Sequence, residues 1–212
     1  MTTHTAPRGH TLSSIRRGPL PSGAYSSQPW RIHEIADDFD LEDVWALPVQ
    51  GGADDFPRFV EALMDGDDRD FPAAYRLLFA VRWALGRALG TDKDEHGLEQ
   101  RVEPLAGRLP DDLRDHPAPE HDSSPFRPLY LTDREYAAEI ANRTMHGVLH
   151  IGWVEDEASP DGFSAQLSVL VRPNGLLGDA YMAFIKPFRY LFVYPALLRT
   201  AGRRWDAARS VA

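Results

Sequence analysis

The segments TMHGVLHIGWVE, residues 144–155, and GFSAQLSVLVR, residues 162–172, decide the predicted fold because their hydrophobicity repeats every two residues. Successive side chains of a β-strand point to opposite faces of a sheet, so this period predicts strands. The segment FRPLYLTDREYAAEIAN, residues 126–142, shows the same period, and turn-forming residues separate the three segments. We therefore expect the second half of the chain to form an antiparallel meander.

A long apolar segment, residues 175–205, follows the meander and predicts a helix. Pro187 and Pro195 are expected to kink or divide it, because proline lacks the N–H that a helix interior requires. Charged residues interrupt the apolar run, and each would be costly inside a bilayer. We therefore predict no integral membrane segment and expect the helix to pack on the sheet. A peripheral contact between its basic end, RTAGRRW, and lipid headgroups is the alternative.

The first half of the chain has weaker patterns. Residues 1–24 are rich in Thr, Ser, Pro, Gly and Arg without a hydrophobic period, which predicts a disordered or loosely packed tail. Residues 25–212 are expected to form a single domain. Its first elements are predicted as a strand over residues 25–36 and a short helix within residues 38–48.

The tripeptide Asp-Phe-Pro occurs at residues 55–57 and 70–72, each time before an apolar run with a helical period. Proline suits the first turn of a helix, where its missing N–H would have no partner. We predict a helix after each tripeptide, and the second one, which ends at Gly90, has the strongest helical pattern in the chain.

The composition excludes several classes of function. Asp and Glu outnumber Lys and Arg by 32 to 23, which gives a formal net charge of −9 and argues against a nucleic-acid partner. The 212-residue chain has no cysteine, which removes disulfides, thiolate catalysis and cysteine-bound metals. The N-terminus lacks an apolar core of signal-peptide length, so we expect a cytoplasmic location.

The predicted order of elements, a meander followed by one long C-terminal helix, resembles that of helix-grip proteins of the START, SRPBCC and Bet v 1-like class. In that class a curved antiparallel sheet wraps around the last helix and leaves a cavity between sheet and helix. The resemblance therefore implies an α+β helix-grip fold with a cavity beneath the C-terminal helix.

The sequence also resembles actinobacterial single-domain members of the domain-of-unknown-function family 2867, over most of the chain after residue 30. The positions that match the family pattern are Arg82, His146, Leu177, Gly178, Tyr181, Pro187 and Phe188. Thr-Met precedes His146 where the family often has an acid, and Arg189 stands where it often has histidine. Related domains occur behind NAD(P)-binding modules, but no glycine-rich dinucleotide motif follows a strand here, so no cofactor is expected.

His146 and His150 lie on the same face of one predicted strand, about 13 Å apart at ~3.3 Å per residue. They cannot share a metal ion at this separation, and no other histidine has a metal-ligand spacing, so no metal site is predicted. The opposite face, with Leu149, Ile151 and Trp153, is more apolar and is predicted to face the core. We therefore expect His150 to face solvent, whereas a twist at the strand entrance could turn His146 inward.

Arg82 lies on the apolar stripe of the helix predicted after residues 70–72. A buried guanidinium requires a carboxylate or carbonyl partner, and two interpretations stay open. Arg82 forms a structural ion pair with Glu139 or Glu42, or it anchors the carboxylate or enolate of a bound ligand.

Three functional hypotheses follow. The first is binding of a hydrophobic or amphipathic small molecule between the sheet and the C-terminal helix. The residues predicted to line that site are Arg82, Trp83, Trp153, Tyr181, Phe184 and Phe188. The second is a cofactor-free cyclase, isomerase or dehydratase of secondary metabolism, with His146 or Glu139 as general base and Arg82 or Tyr181 beside the developing oxyanion. The third is a protein-interaction module, and a homodimer is compatible with each.

Overall fold

The structure is a computed structural model, and it describes residues 18–65, 103–119, 126–141 and 145–211. Within these residues, six antiparallel strands form one sheet in the order β1-β2-β6-β5-β4-β3. The strands are β1 (Gly18–Pro19), β2 (Asp40–Gly51), β3 (Arg127–Leu131), β4 (Glu135–Ala141), β5 (Met145–Glu155) and β6 (Phe163–Pro173). Strands β3 to β6 are neighbours both in sequence and in the sheet, so the predicted meander is confirmed.

Helices cover both faces of the sheet. The helical elements are α1 (Gly23–Ser26), α2 (Ile32–Ile35), α3 (Phe56–Met64), a 3₁₀ turn (Leu105–Arg108), α4 (Asp111–Arg114), α5 (Gly175–Phe188), a π-helical turn (Arg189–Val193) and α6 (Tyr194–Ser210). The short elements α1, α2, the 3₁₀ turn and α4 pack on one face, which we call the N-terminal face. Helices α3 and α6 pack on the other, which we call the helix face.

The predicted C-terminal helix is confirmed, and its division near the prolines is visible. Pro187 lies inside α5, and Pro195 lies in the first turn of α6. The π-helical turn lies between the two prolines, where the regular helical hydrogen-bond pattern changes. No helix in the described ranges is both long enough and apolar enough to cross a membrane.

Each face has its own hydrophobic core. On the helix face, aromatic side chains of α3 and α6 pack against the sheet around Trp153. On the N-terminal face, side chains from α1, α2, the 3₁₀ turn and α4 pack against Tyr130, Val148 and Leu170. Because both faces are covered, the alternate side chains of the central strands are buried in both directions. As a result, both His146 and His150 of β5 are buried.

The segments before the meander differ from the prediction in two places. Residues 25–36, predicted as a strand, contain α2 and the end of α1, and residues 38–48, predicted as a helix, form most of β2. Strand β2 is buried on both faces from Asp43 onward. It therefore lacks the period of two that marks a strand with one wet face, and its acidic start resembles the first turn of a helix.

The remaining predictions for the first half concern the N-terminal tail and the helices after the two Asp-Phe-Pro tripeptides. Helix α3 is confirmed after the first Asp-Phe-Pro, and its proline lies in the first turn as expected. Residues 18–24, which the sequence assigned to the tail, contain β1 and the start of α1, and β1 pairs with Trp45 and Ala46 of β2. Residues 1–17 and the helix predicted after the second Asp-Phe-Pro lie outside the described residues.

Candidate functional site

Two glutamate–histidine pairs lie on neighbouring strands of the N-terminal face. In the register of β4 and β5, Ala137 is opposite His150 and Ala141 is opposite His146, so each glutamate lies diagonally across from a histidine. Nε2 of His146 is 2.8 Å from Oε2 of Glu139, and Nε2 of His150 is 3.2 Å from Oε2 of Glu135. Because the glutamates and the histidines are each four residues apart, the same glutamate–histidine contact occurs twice along the two strands.

Both histidines are buried, with 1% of His146 and none of His150 exposed. The expectation that His150 faces solvent is therefore wrong. The sequence showed the more apolar face of β5 correctly, since Ile151 and Trp153 belong to the core of the helix face. It did not show that the N-terminal segments form a second layer over the other face.

Glu135 receives several hydrogen bonds. The backbone N–H of Arg31, where α2 begins, lies 2.9 and 3.0 Å from its two carboxylate oxygens, and the hydroxyl of Tyr130 lies 3.1 Å from Oε2. Burial alone would raise the pKa of Glu135, but the hydrogen bonds from His150, Arg31 and Tyr130 outweigh it and lower the pKa below its ordinary value. We therefore treat Glu135 as ionised at neutral pH.

Glu139 resembles Glu135 but has fewer partners. The backbone N–H of Leu105, in the 3₁₀ turn, donates to its Oε2 at 3.0 Å, and Oε1 is buried without a partner among the described residues. Burial favours a raised pKa here too, but the hydrogen bonds from His146 and Leu105 produce a net lowering. Glu139 is therefore also ionised at neutral pH.

The ionised carboxylates decide which ring nitrogen of each histidine carries hydrogen. A carboxylate can only accept, so Nε2 of His146 and of His150 must donate. In the neutral imidazole, Nδ1 then has a free lone pair. Both Nδ1 atoms are buried, and neither has a hydrogen-bond partner among the residues that the structure describes. Each pair therefore combines an orienting carboxylate with an available proton acceptor.

Further buried polar atoms surround His150. The ring of Trp30 lies 5.2 Å from that of His150, and the ring of Tyr25 lies 5.9 Å from His150 and 4.6 Å from His33. Ser168 is the cross-strand neighbour of His150 on β6. We call these five residues, Tyr25, Trp30, His33, His150 and Ser168, the His150 cluster.

Every member of the His150 cluster has a buried polar atom without a partner in the described part of the chain. These atoms are the Tyr25 hydroxyl, Trp30 Nε1, His33 Nε2, His150 Nδ1 and Ser168 Oγ. Burial raises the pKa of Tyr25 well above its ordinary value, so the phenol keeps its proton. Burial, followed by the nearby His150, lowers the pKa of His33, which favours its neutral form.

A different arrangement occupies the helix face. A bulge at Glu42 shifts the register of β2, so Leu41 and Asp43 point to opposite faces. Asp43 accepts hydrogen bonds from Arg189, from the hydroxyl of Tyr190 and, at 2.6 Å, from the hydroxyl of Tyr194.

The guanidinium of Arg189 also contacts Glu42 at 3.3 Å. Burial would lower the pKa of Arg189, but Tyr194 and Asp43 raise it above its ordinary value, so the side chain stays charged. On this side, Trp45, Arg189, Thr200 and Arg204 each have a buried polar atom without a partner in the described segments. In the described ranges, no group of three or more His, Asp or Glu side chains is placed to bind a metal ion.

The family model for the protein of unknown function DUF2867 matches residues 35–196. The chain belongs to the DUF2867 family. The matched range includes both glutamate–histidine pairs, whereas Tyr25, Trp30 and His33 precede it. No curated protein and no solved structure matches the chain. Membership in DUF2867 confirms the resemblance inferred from the sequence and assigns no activity.

Among the residues predicted for the site, the structure brings His146 and Glu139 together on the N-terminal face of this DUF2867 domain. Trp153 lies on the opposite face of β5, packed against Phe56, Phe59 and Phe163. Its Nε1 donates to the backbone carbonyl of Gly52 at 2.9 Å. Trp153 and His146 point to opposite faces of β5, and the sheet separates these faces. One cavity therefore cannot use both residues.

Two of the remaining predicted residues, Phe184 and Phe188, lie on α5 rather than on the strands that carry the glutamate–histidine pairs. Phe184 is 52% exposed on α5, and Phe188 is half-buried beside it. Arg82, Trp83 and the side chain of Tyr181 lie outside the described residues. The sequence analysis missed Glu135, Tyr25 and Ser168. The available signal was the equal four-residue spacing of the two glutamates and the two histidines on neighbouring predicted strands.

Proposed function

We propose that this protein binds a small amphipathic molecule whose polar end lies in the His150 cluster. The supporting observation is the His150 cluster, whose five buried polar atoms have no hydrogen-bond partner among the residues that the structure describes. Buried polar groups in native proteins are nearly always hydrogen-bonded, and each one left unpaired costs about 1–3 kcal/mol. A bound polar group can satisfy several of these atoms together, which makes occupation of the cluster favourable.

The cluster favours a neutral polar group, such as a hydroxyl or a carbonyl. The Tyr25 and Ser168 hydroxyls and the Trp30 N–H can donate, and Nδ1 of His150 can accept. An anionic group would approach the ionised Glu135, and the cluster contains no lysine or arginine to compensate. The guanidinium of Arg31 turns instead to Asp112, at 2.5 Å.

The surroundings of the cluster favour an apolar body for the same molecule. Ile32, Ile35, Leu105, Val148 and Leu170 belong to the core of the N-terminal face. We also propose that the fold belongs to the helix-grip class. The pairing of β2 with β6 and the position of the C-terminal helix on one face of the sheet support this assignment. The ligand then uses the N-terminal face rather than the space beneath that helix.

Two matched tyrosine variants test the binding site. Tyr25→Phe removes a cluster hydroxyl that has no partner in the described part of the chain. Tyr136→Phe removes a buried hydroxyl that belongs to the core of the helix face. The probes are decanol and decanoate, which share an alkyl chain but differ in charge. We expect decanol to raise the melting temperature of the wild type more than decanoate, and Tyr25→Phe alone to reduce this rise. Equal shifts with both probes, or with both variants, would contradict the proposal.

The glutamate–histidine geometry favours a second candidate function, cofactor-free acid–base catalysis of the isomerase, dehydratase or cyclase type. Glu135 orients His150 through Nε2 and leaves Nδ1 to accept a proton, which is the relation between an orienting group and a general base. The Tyr25 hydroxyl could then donate to a developing oxyanion. The pair of Glu139 and His146 has the same geometry but lies beside the ring of Phe39, at 4.9 Å.

Hydrogen exchange into a bound ligand separates catalysis from binding alone. Molecules that co-purify with the protein are identified by native mass spectrometry, and the complex is then incubated in heavy water. Catalysis predicts incorporation of deuterium at carbon, lost in His150→Gln and retained in His146→Gln. If the ligand stays bound in both variants but the wild type incorporates no deuterium, the result would support binding and contradict catalysis.

A further inference from the structure

An exposed aromatic row follows the outer side of the C-terminal helical segment. Phe184 is 52%, Leu191 68% and Phe192 46% exposed. The rings of Phe184 and Phe188 are 6.0 Å apart, and those of Phe188 and Phe192 are 6.3 Å apart. We call Phe184, Phe188, Leu191 and Phe192 the phenylalanine ridge.

The ridge is not the core-facing side of its helix. Met182, Ile185 and Arg189 are buried on the inner side, so the segment already has an inward stripe. Single exposed apolar side chains are common on soluble proteins, but a continuous row of large ones marks an interaction surface. The ridge runs through consecutive helical turns and is therefore such a row.

The charge of the helical segment that carries the ridge favours an anionic partner. Residues 182–205 contain Lys186, Arg189, Arg199, Arg203 and Arg204 but no Asp or Glu, although the whole chain has a net charge of −9. Lys186, Arg199 and Arg203 are exposed, whereas Arg189 is paired with Asp43. Arg199 and Arg203 are four residues apart on α6, the helix that follows the ridge, and therefore lie on one face of it.

We propose that the phenylalanine ridge docks on the surface of an anionic lipid bilayer. Large apolar side chains enter the boundary between headgroups and acyl chains, and the basic side chains next to them bind the anionic headgroups. The remainder of the chain is acidic and is repelled by the same surface, so the protein is oriented with the ridge toward the lipid. This inference is independent of the ligand proposed for the His150 cluster.

Sedimentation with lipid vesicles tests the docking. The full chain is mixed with vesicles of phosphatidylcholine alone or of phosphatidylcholine with phosphatidylglycerol. We expect binding only to the vesicles with phosphatidylglycerol, and weaker binding as salt is raised, because salt screens exposed charges. Equal binding to both vesicle types, or binding to neither, overturns the proposal.

Matched variants locate the contact. Leu191→Ser with Phe192→Ser should weaken vesicle binding at least tenfold, and Arg199→Glu with Arg203→Glu should do the same without changing the ridge. Val211→Ser is the apolar control, since Val211 is 90% exposed and outside the ridge, and Arg114→Glu is the exposed basic control. Controls that weaken binding as much as the ridge variants would overturn the assignment.

A competing occupant is a second copy of the chain. Light scattering of the full chain without lipid is expected to give the monomer mass for the wild type and for Leu191→Ser. A wild-type dimer that Leu191→Ser dissociates would show that the ridge joins two copies, and the lipid proposal would be wrong.

Discussion

On the helix face, the buried carboxylate of Asp43 is held by a guanidinium and by phenol hydroxyls, whereas on the N-terminal face Glu135 and Glu139 are each held by a histidine. Arginine keeps its charge throughout the physiological pH range, so the first arrangement is a permanent ion pair. In each glutamate–histidine pair the second ring nitrogen, Nδ1, has no partner among the described residues, so the second kind can respond to a ligand. The two faces therefore hold their buried carboxylates with different kinds of side chain.

Asp43 and Glu139 also differ in how completely their carboxylate oxygens are paired, although both faces have other buried polar atoms without partners in the described ranges, among them Nε of Arg189. Both oxygens of Asp43 accept hydrogen bonds from protein side chains, since Tyr190 donates to Oδ1 and Tyr194 to Oδ2. In contrast, Oε1 of Glu139 and Nδ1 of both histidines are buried without partners in the described segments. Experiments that remove one group from each face can measure this contrast.

The largest expected effect is on the helix face. Arg189→Met removes the cation that compensates Asp43 and leaves a buried charge, which typically costs about 3–5 kcal/mol of unfolding free energy. Urea denaturation at neutral pH measures the loss. Arg114→Ala is the control, because its ion pair with Asp111 is exposed and such pairs contribute about 0–1 kcal/mol. A loss for Arg189→Met no larger than that of the control would mean that Asp43 is not buried as described.

A pair of Tyr→Phe variants sharpens the comparison. The hydroxyl of Tyr194 donates to Asp43, and a hydrogen bond to a charged group contributes about 1.5–3 kcal/mol, so Tyr194→Phe should lower the unfolding free energy by that amount. The hydroxyl of Tyr25 is buried and has no partner in the described ranges, so Tyr25→Phe should be neutral or slightly stabilising. Urea midpoints of both variants provide the measurement. Equal losses would show that the Tyr25 hydroxyl is satisfied in solution.

Gly152 provides a test of how closely Trp30 packs against β5 on the N-terminal face. A Cβ at this position would lie 2.5 Å from Cζ2 of Trp30, so the absent side chain allows the indole to lie against β5. Gly152→Ala should displace Trp30 and cost about 1–3 kcal/mol, the usual range for overpacking. Thermal unfolding and tryptophan fluorescence follow the change. Gly147→Ala is the control on the same strand, where the nearest atom is at 3.5 Å.

The meander and the C-terminal helix could be predicted because their signals are local. Periods of two and of 3.6 residues report directly which side chains share a face. The second layer could not be predicted, because Tyr25 and Trp30 reach His150 across more than a hundred residues of sequence. A single strand shows which residues share a face, but it does not show whether that face is covered.

The candidate site was predicted in the same partial way. His146 and Glu139 were selected as separate candidates for the base, and the structure places them in one hydrogen-bonded pair. Their contact depends on the register of β4 and β5, which places the two residues diagonally. Register is set by the turn and by the packing of both faces, so it could not be read from either strand alone. The polar atoms of Ser168 and Tyr25 were missed for the same reason.

The smallest expected effect is a change in the pH dependence of stability. The pKa values of Glu135 and Glu139 are lowered in the folded protein, although burial opposes the hydrogen bonds and keeps the net effect limited. A carboxyl group with a lowered folded pKa stabilises the protein above its unfolded pKa, about 4.3 for glutamate, and this contribution is lost as pH falls through the folded pKa. The unfolding free energy should therefore decrease in acid.

The double variant Glu135→Gln with Glu139→Gln should show a shallower decrease than the wild type below the unfolded pKa. Urea midpoints measured from neutral to acidic pH give both curves. Asp38 is the necessary control, because hydrogen bonds from Arg108 and Arg172 lower its pKa to about 2, so the unchanged Asp38 still contributes to acid sensitivity in the double variant. A third curve is measured for Asp38→Asn. If this variant has a shallower curve than the wild type but the double glutamate variant does not, Glu135 and Glu139 have the same pKa in the folded and the unfolded chain. The contrast between the carboxylates of the two faces would then have no energetic basis.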